Sequence, residues 1–87
     1  MIESRASNLT TMQKIQIRSA ADLGQAIRRQ RKAQALRQQD LADQIGASHV
    51  FLRQVEHGKP TVQLGRVLRL LEELGIELYV DAPETGE

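Results

Sequence analysis

The fold is decided by residues 37–59, RQQDLADQIGASHVFLRQVEHGK. The pattern predicts a short helix that starts near Gln38 and ends at Gly46, which breaks it. A second short helix is predicted to start near Ser48. The apolar positions repeat at helical spacing within each segment, so both helices bury one face. The residues expected on those buried faces are Leu41, Ala42, Ile45, Leu52 and Val55.

Two short helices around one glycine-bearing turn form a helix-turn-helix arrangement, and the second helix of such a unit can lie in the major groove of DNA. Recognition of a duplex needs contacts to phosphates and contacts to base edges. The N-terminal turn of the second helix carries polar side chains where it would enter the groove. The candidate DNA-contacting residues are Gln38, Gln39, Ser48, His49, Val50, Arg53, Gln54, His57 and Lys59.

Different chemistry is expected of each of these side chains. Arg53 matches a bidentate contact to guanine O6 and N7, or equally a phosphate contact, and Gln54 matches adenine. His49 is expected to donate to a guanine or a phosphate, unless it is only a polar surface residue, and Val50 to touch a thymine methyl group. The residues expected beside backbone phosphates are His57 and Lys59. Phe51 is expected to pack between helices rather than to wedge into DNA.

The charge distribution fits an anionic partner for most of the chain. Residues 1–71 hold all twelve Lys and Arg and only five acids, a net charge of +7, whereas residues 72–87 hold six acids and no Lys or Arg. A basic body suits phosphate backbones, although a solvated surface with a polar tail would show the same counts. We expect the acidic end to lie away from DNA or to meet a protein partner.

The composition excludes several other classes of protein. The chain has no cysteine, so disulfides and thiolate metal sites are not expected. Its two histidines are too few for a convincing metal cluster, and we expect no cofactor. No apolar run approaches the roughly 20 residues of a membrane helix. No secretory signal is visible at the N-terminus. A soluble, cytoplasmic protein with one small domain is expected, and neither a membrane nor a small-molecule ligand is indicated.

Two more helices are predicted around the central pair. Ser19 and Asp22 form a capping-box pattern ahead of a helix that reaches about Gln34 and buries Leu23 and Ile27. Gly58 is suited to end the second central helix. A last helix is predicted over 62–74, with Thr61 as its N-cap. Its core stripe is predicted to be Leu64, Val67, Leu68, Leu71 and Leu74, with Leu70 beside it.

Residues 13–18 and 76–81 alternate apolar and polar side chains, which predicts two short β-strands. Two strands alone are marginal in water. We therefore favour pairing in a sheet across a dimer, with a pair inside one chain as the alternative. The residues expected at the dimer interface are Ile15, Ile17, Leu70, Ile76, Leu78 and Val80. The predicted organisation is a flexible arm over 1–11, one domain over 12–81 and an acidic tail over 82–87.

Residues 21–75 resemble the XRE/Cro and phage-repressor family. The matching features include Leu41-Ala42, Ile45-Gly46, Val55-Glu56-x-Gly58-Lys59 and Leu74-Gly75. The resemblance implies a mainly α, lambda-repressor-like fold of four to five helices. It also implies an ion pair between Arg31 and Glu56, and a phosphate contact from Gln38, which would support a base-contacting residue. The chain departs from the family at Ala35, where glycine is usual, and at Arg37, where Thr or Ser caps the helix. The helix that reaches about Gln34 is therefore expected to end differently from the corresponding helix of the family.

The stretch from Gly58 to Leu64 and the segment from Gly75 to Asp81 are similar to those of HipB-like antitoxins. That resemblance implies a homodimeric repressor of its own operon, bound to a pseudo-palindromic operator and to a HipA-like Ser/Thr kinase toxin. The partner surface is expected on the outer face of the helix that reaches about Gln34, on the helix over 62–74 and on the acidic end. The alternatives are a regulator without a toxin and a protein–protein adaptor that does not bind DNA. An enzyme is not expected, because no nucleophile–base pair is visible.

Overall fold

The computed structural model describes residues 14–84, and these form a mainly α fold with four helices. The helices are α1 (Ala20–Ala33), α2 (Gln38–Ile45), α3 (His49–Glu56) and α4 (Leu64–Leu74). α2 and α3 form the predicted helix-turn-helix pair. The predicted arm over 1–11, and residues 85–87 of the predicted tail, lie outside the described residues.

Side-chain hydrogen bonds define the starts of α1 and α3. Ser19 Oγ accepts the Asp22 N–H at 3.0 Å, and Asp22 Oδ2 accepts the Arg18 N–H at 2.9 Å rather than that of Ser19. Ser48 Oγ accepts the Phe51 N–H at 3.0 Å. The bonds to Ser19 and Ser48 each satisfy a backbone donor that a helix start leaves without a partner. The predicted starts of both helices are confirmed.

The core lies between the four helices and is aliphatic apart from one ring. Its members are Ile27, Leu41, Ala42, Phe51, Leu52, Val55, Val67, Leu70, Leu71 and Leu74. The ring of Phe51 is buried, as expected, and the Arg66 guanidinium carbon lies 4.9 Å from its centroid. Such cation–π contacts stabilise a structure modestly.

α1 and α3 approach so closely that two glycines are required at their contact. A Cβ at Gly24 would lie 2.3 Å from the Val55 carbonyl oxygen, which no side chain tolerates. A Cβ at Gly58 would lie 2.7 Å from the Ala21 Cα, and Gly58 also has a φ of +84°. The close approach brings Arg31, two turns after Gly24, beside Glu56 at the end of α3.

The prediction for α4 is confirmed for Val67, Leu71 and Leu74, which are buried, and was wrong in the start of the helix and in one edge of its buried stripe. The helix begins at Leu64 after Gln63, so Thr61 lies in the preceding turn and is not its N-cap. Leu70 is fully buried within the subunit, which removes it from the predicted dimer interface. Leu64 and Leu68 are exposed instead, at 66% and 43%. The helix is turned relative to the prediction because the other three helices contact the face that holds Val67, Leu70, Leu71 and Leu74.

The predicted strands are absent from residues 14–84, where both segments are irregular. The alternative of a strand pair within one chain is therefore wrong for the described residues. The physical reason is that a strand needs a hydrogen-bonding neighbour, and neither segment supplies one to the other. Ile15, Ile17, Leu78 and Val80 are exposed as a result.

The end of α1 also differs from expectation, because Ala35 adopts the left-handed conformation that glycine usually occupies, with a φ of 60°. The Leu36 N–H donates to the Arg31 carbonyl at 3.1 Å and the Ala35 N–H to the Lys32 carbonyl at 2.9 Å. These bonds form a Schellman end. The Arg31 guanidinium also donates to the Leu36 carbonyl at 2.7 Å. These contacts hold a strained residue in place.

We expect Ala35→Gly to stabilise the domain by about 1 kcal/mol, because it removes the steric cost of a Cβ in the left-handed region. For a chain of this size that gain raises the melting temperature by roughly 4–8 °C. Thermal unfolding followed by circular dichroism measures it. Ala33→Gly, inside α1, is the matched control and is expected to lower the melting temperature. If the melting temperature of Ala35→Gly also fell, the conclusion that α1 ends in a strained residue would be contradicted.

Candidate nucleic-acid interface

A polar groove of about 600 Å³ lies where α1, the start of α2 and α3 meet. It is lined by Arg28, Arg31, Arg37, Gln38, Gln39, His49, Arg53, Glu56 and His57. Four of these nine residues are arginines, of which Arg31 is paired with the one carboxylate of the lining, Glu56, and Arg37 with Asp40. The groove therefore offers hydrogen-bond donors and positive charge to an anionic partner.

The carboxylate in the groove is Glu56, and it forms a bidentate ion pair with Arg31. Arg31 Nε donates to Glu56 Oε2 at 2.6 Å, and Arg31 Nη2 donates to Glu56 Oε1 at 2.9 Å. Both side chains are almost inaccessible to solvent, at 8% and 3%. Two hydrogen bonds satisfy the donors and acceptors of a buried ion pair more fully than a single bond would.

Burial alone would raise the pKa of Glu56. Hydrogen bonds from Arg31 and Gln38, together with the charges of Arg31 and Arg28, outweigh burial, and the pKa of Glu56 lies below its ordinary value of 4.5. Because the folded-state pKa is the lower one, the pair contributes its full stability above about pH 4.5. That contribution is lost as the pH falls through the folded-state value.

The ion pair is continued to the surface by two further hydrogen bonds. Gln38 Nε2 donates to Glu56 Oε1 at 3.0 Å, and Gln38 Oε1 lies 2.8 Å from His49 Nε2. Gln38 is the first residue of α2 and His49 the first residue of α3. A chain of contacts therefore runs from buried Arg31 to exposed His49 across three helices.

A second, exposed ion pair flanks the groove at the start of α2. The Arg37 guanidinium donates to Asp40 at 2.9 Å and 3.1 Å, and the Arg37 N–H donates to Asp40 Oδ2 at 3.0 Å. The hydrogen bond from Arg37 holds the pKa of Asp40 below its usual range. Arg37 thus supports the start of α2 through its neighbour Asp40, although its side chain cannot accept a bond as Thr or Ser would.

The structure places five of the nine predicted DNA-contacting residues in the groove, namely Gln38, Gln39, His49, Arg53 and His57. The other four lie nearby in the chain but do not line it. Ser48 caps α3, Val50 is half exposed, Gln54 is half buried, and Lys59 is exposed beyond α3. The His57 ring lies against the end of α3, with its Nδ1 2.8 Å from the Arg53 carbonyl oxygen.

Sequence reasoning did not include Arg28 among the DNA-contacting residues. Arg28 lies one helical turn before Arg31, and residues three apart share a helix face. The expected pairing of Arg31 with Glu56 was therefore a sufficient signal to place Arg28 on the same side as α3.

Comparison with known proteins agrees with this geometry. A family described as "Helix-turn-helix domain" matches residues 22–78. The HTH-type transcriptional regulator y4mF of Sinorhizobium fredii is 43% identical over 67 residues, which cover 77% of this chain and 88% of y4mF. The chain belongs to the helix-turn-helix family of transcriptional regulators. The expected XRE-type identity is confirmed, and members of this class act without enzymatic activity.

Solved structures of other proteins share the fold of this helix-turn-helix regulator. The HipB–O4 20mer complex has a TM-score of 0.72 at 20% identity, and the HipA–HipB–O2–O3 complex has 0.73 at 20%. Each covers 82% of this chain and 100% of the matched chain. The regulator therefore has a HipB-like fold.

No helix among residues 14–84 combines the length and apolar character needed to cross a membrane. The same described part of the regulator contains no group of three or more His, Asp or Glu side chains placed to hold a metal ion.

We expect Glu56→Ala to destabilise the regulator by about 3–5 kcal/mol, because it strands the buried Arg31 charge. DNA binding would be lost with the fold. The melting temperature measures the change. Arg37→Ala is the control, since it removes the arginine of the exposed pair and is expected to change the melting temperature little, because water screens such a pair. An unchanged melting temperature in Glu56→Ala would show that the pair has no structural role.

Proposed function

We propose that this protein is a homodimeric, sequence-specific transcriptional repressor that binds a pseudo-palindromic operator near its own gene. The observation that carries the proposal is the arginine-rich groove that contains the start of α3. In helix-turn-helix proteins the N-terminal residues of this second helix contact base edges in the major groove. His49 and Arg53, one turn apart on α3, are the side chains best placed for those contacts.

The remaining polar residues act on the sugar–phosphate backbone in this proposal. Arg28 and Gln39 line the groove, and His57 and Lys59 follow the end of α3; all four can bind phosphates. Gln38 uses one of its two amide hydrogens on Glu56, so the second remains to donate to a phosphate. Val50 and Gln54 follow on α3 as apolar and amide contacts to bases. An adaptor that does not bind DNA would not require this concentration of arginine.

The dimer is proposed on the surface formed by α4 and the segment after it. A groove of about 450 Å³ lies there, lined in part by Leu68, Leu71, Ile76 and Leu78. Leu68 and Leu78 are exposed, which is costly for contiguous apolar side chains in water. A second copy of the chain would cover them. It would also give residues 13–18 and 76–81 the strand neighbours that one chain does not supply.

A footprint on the DNA upstream of the gene tests the repressor proposal. We expect the wild type to protect an inverted repeat whose halves are about one helical turn apart. The double variant His49→Ala/Arg53→Ala is expected to bind roughly 30-fold more weakly or worse, because each base contact contributes about 1–3 kcal/mol. Arg29→Ala, on α1 outside the groove lining, is the charge control and should bind within about threefold.

The outcomes of the footprint are distinct. Protection of a single asymmetric site would contradict the proposal that a dimer binds an inverted repeat. No protection by folded wild type at low salt would overturn DNA binding and favour the adaptor hypothesis. Melting curves of all variants separate loss of contact from loss of fold.

We further propose that the repressor is an antitoxin that binds and inhibits a HipA-like Ser/Thr kinase. The HipB-like fold supports this, since one matched structure contains HipA with HipB. The partner surface is proposed on the outer face of α1, α4 and the acidic end of the chain. These elements lie outside the arginine-rich groove apart from Arg28 and Arg31. DNA and kinase would then bind at the same time.

Co-purification with the product of a kinase-like reading frame beside the gene tests the antitoxin proposal. We expect the wild type to bind the kinase and to suppress its phosphorylation activity. The His49→Ala/Arg53→Ala variant is expected to do both equally well, because its substitutions lie in the groove. Absence of such a reading frame, or a kinase that neither binds nor loses activity, would leave a regulator without a toxin partner.

A further inference from the structure

The two histidines of the chain are held by partners of known hydrogen-bonding character. His49 Nε2 lies 2.8 Å from Gln38 Oε1, and His57 Nδ1 lies 2.8 Å from the Arg53 carbonyl oxygen. A neutral imidazole carries one hydrogen, and the ring nitrogen that bears it is set by the bond that the ring makes. Which atom of each partner faces the ring therefore decides the tautomer.

The orientation of the Gln38 amide is fixed from the buried side. An ionised carboxylate only accepts hydrogen bonds, so the atom that Gln38 turns toward Glu56 must be its NH₂ group. The pKa of Glu56 is lowered, which keeps that carboxylate ionised. The carbonyl oxygen of the Gln38 amide then faces His49, and this oxygen can only accept. His49 must donate to it through Nε2–H.

We infer that the Arg31–Glu56–Gln38 chain fixes neutral His49 as the Nε2–H tautomer, so that His49 presents its Nδ1 to DNA as a hydrogen-bond acceptor. In the major groove the groups that donate are the adenine N6 and cytosine N4 amino groups, whereas guanine offers only acceptors. His49 therefore selects adenine or cytosine on the strand it contacts. This inference differs from the expectation that His49 donates to a guanine or a phosphate. Gln38 is the positioning residue.

His57 provides an internal control, because its contact requires the opposite tautomer. A peptide carbonyl oxygen only accepts, so its bond with His57 requires Nδ1–H. The chain thus holds its two histidines in opposite tautomers. The contact of His57 does not involve Gln38, so a change at Gln38 is expected to release His49 and leave His57 as it was.

The first test measures the tautomers in the free, full-length protein by ¹⁵N magnetic resonance of the ring nitrogens at pH 8.5, above the range in which histidine titrates. We expect Nε2–H at His49 and Nδ1–H at His57. In Gln38→Ala the Nδ1–H tautomer of His49 is expected to become populated while His57 does not change. Nδ1–H at His49 of the wild type, or a His49 pattern unaffected by Gln38→Ala, would overturn the inference.

The second test concerns base selection and rests on the proposed DNA binding. Duplexes selected by the wild type from a random library at pH 8.5 are expected to hold one adenine or cytosine per half-site whose preference disappears in His49→Ala. If adenine is selected, its replacement by purine, which lacks the amino group, is expected to weaken wild-type binding roughly threefold to tenfold. The same replacement should leave the affinity of His49→Ala unchanged. For a selected cytosine, the matched replacement is a pyrimidine base without the N4 amino group.

The possible failures of the two proposals are separable. A library that yields no selected sequence contradicts the proposed DNA binding, whatever the tautomers are. A selected sequence that holds guanine at the His49-dependent position, or an equal loss on amino-group removal in wild type and His49→Ala, contradicts the inference alone.

Discussion

The buried ion pair between Arg31 and Glu56 is the interaction on which the rest of the structure depends. Arg31 lies near the end of α1 and Glu56 at the end of α3, and the pair closes the contact that Gly24 makes possible. A charge pair removed from water stabilises a fold only when its remaining donors and acceptors are satisfied. Here the Leu36 carbonyl and the Gln38 amide satisfy them.

Those two additional partners give the ion pair a role in the conformation of the backbone. Leu36 lies in the connection between α1 and α2 and Gln38 directly follows it, so the second half of the connection is held from inside the protein. Ala35 lies within the connection at a φ of 60°, which costs a residue with a Cβ about 1 kcal/mol or more. A chain of this size has a net stability of only about 5–15 kcal/mol. The strain is therefore tolerated because Arg31 fixes the residues next to it.

The sequence was sufficient to predict the helices because each has a local signal. Ser19, Ser48 and Gly46 mark helix ends by short-range chemistry, and the helix-turn-helix pair follows from apolar spacing. One edge of the buried face of α4 was predicted wrongly for a different reason. The apolar arc of that helix extends from Leu70 on one edge to Leu64 and Leu68 on the other, so the period does not decide which edge is buried. Only the positions of three other helices decide it. The strands depend on a neighbour that local pattern does not specify.

The candidate site shows the same division between local and long-range information. Sequence position placed His49 and Arg53 one turn apart on the second helix, and the family resemblance implied that Gln38 would support a base-contacting residue. Neither gave the direction of the Gln38 amide, because that direction is set by Glu56, eighteen residues away and buried. The hydrogen-bonding character of His49 is therefore a tertiary property. A substitution in the core pair would change what the surface offers to a base, even where the helix that carries His49 stays folded.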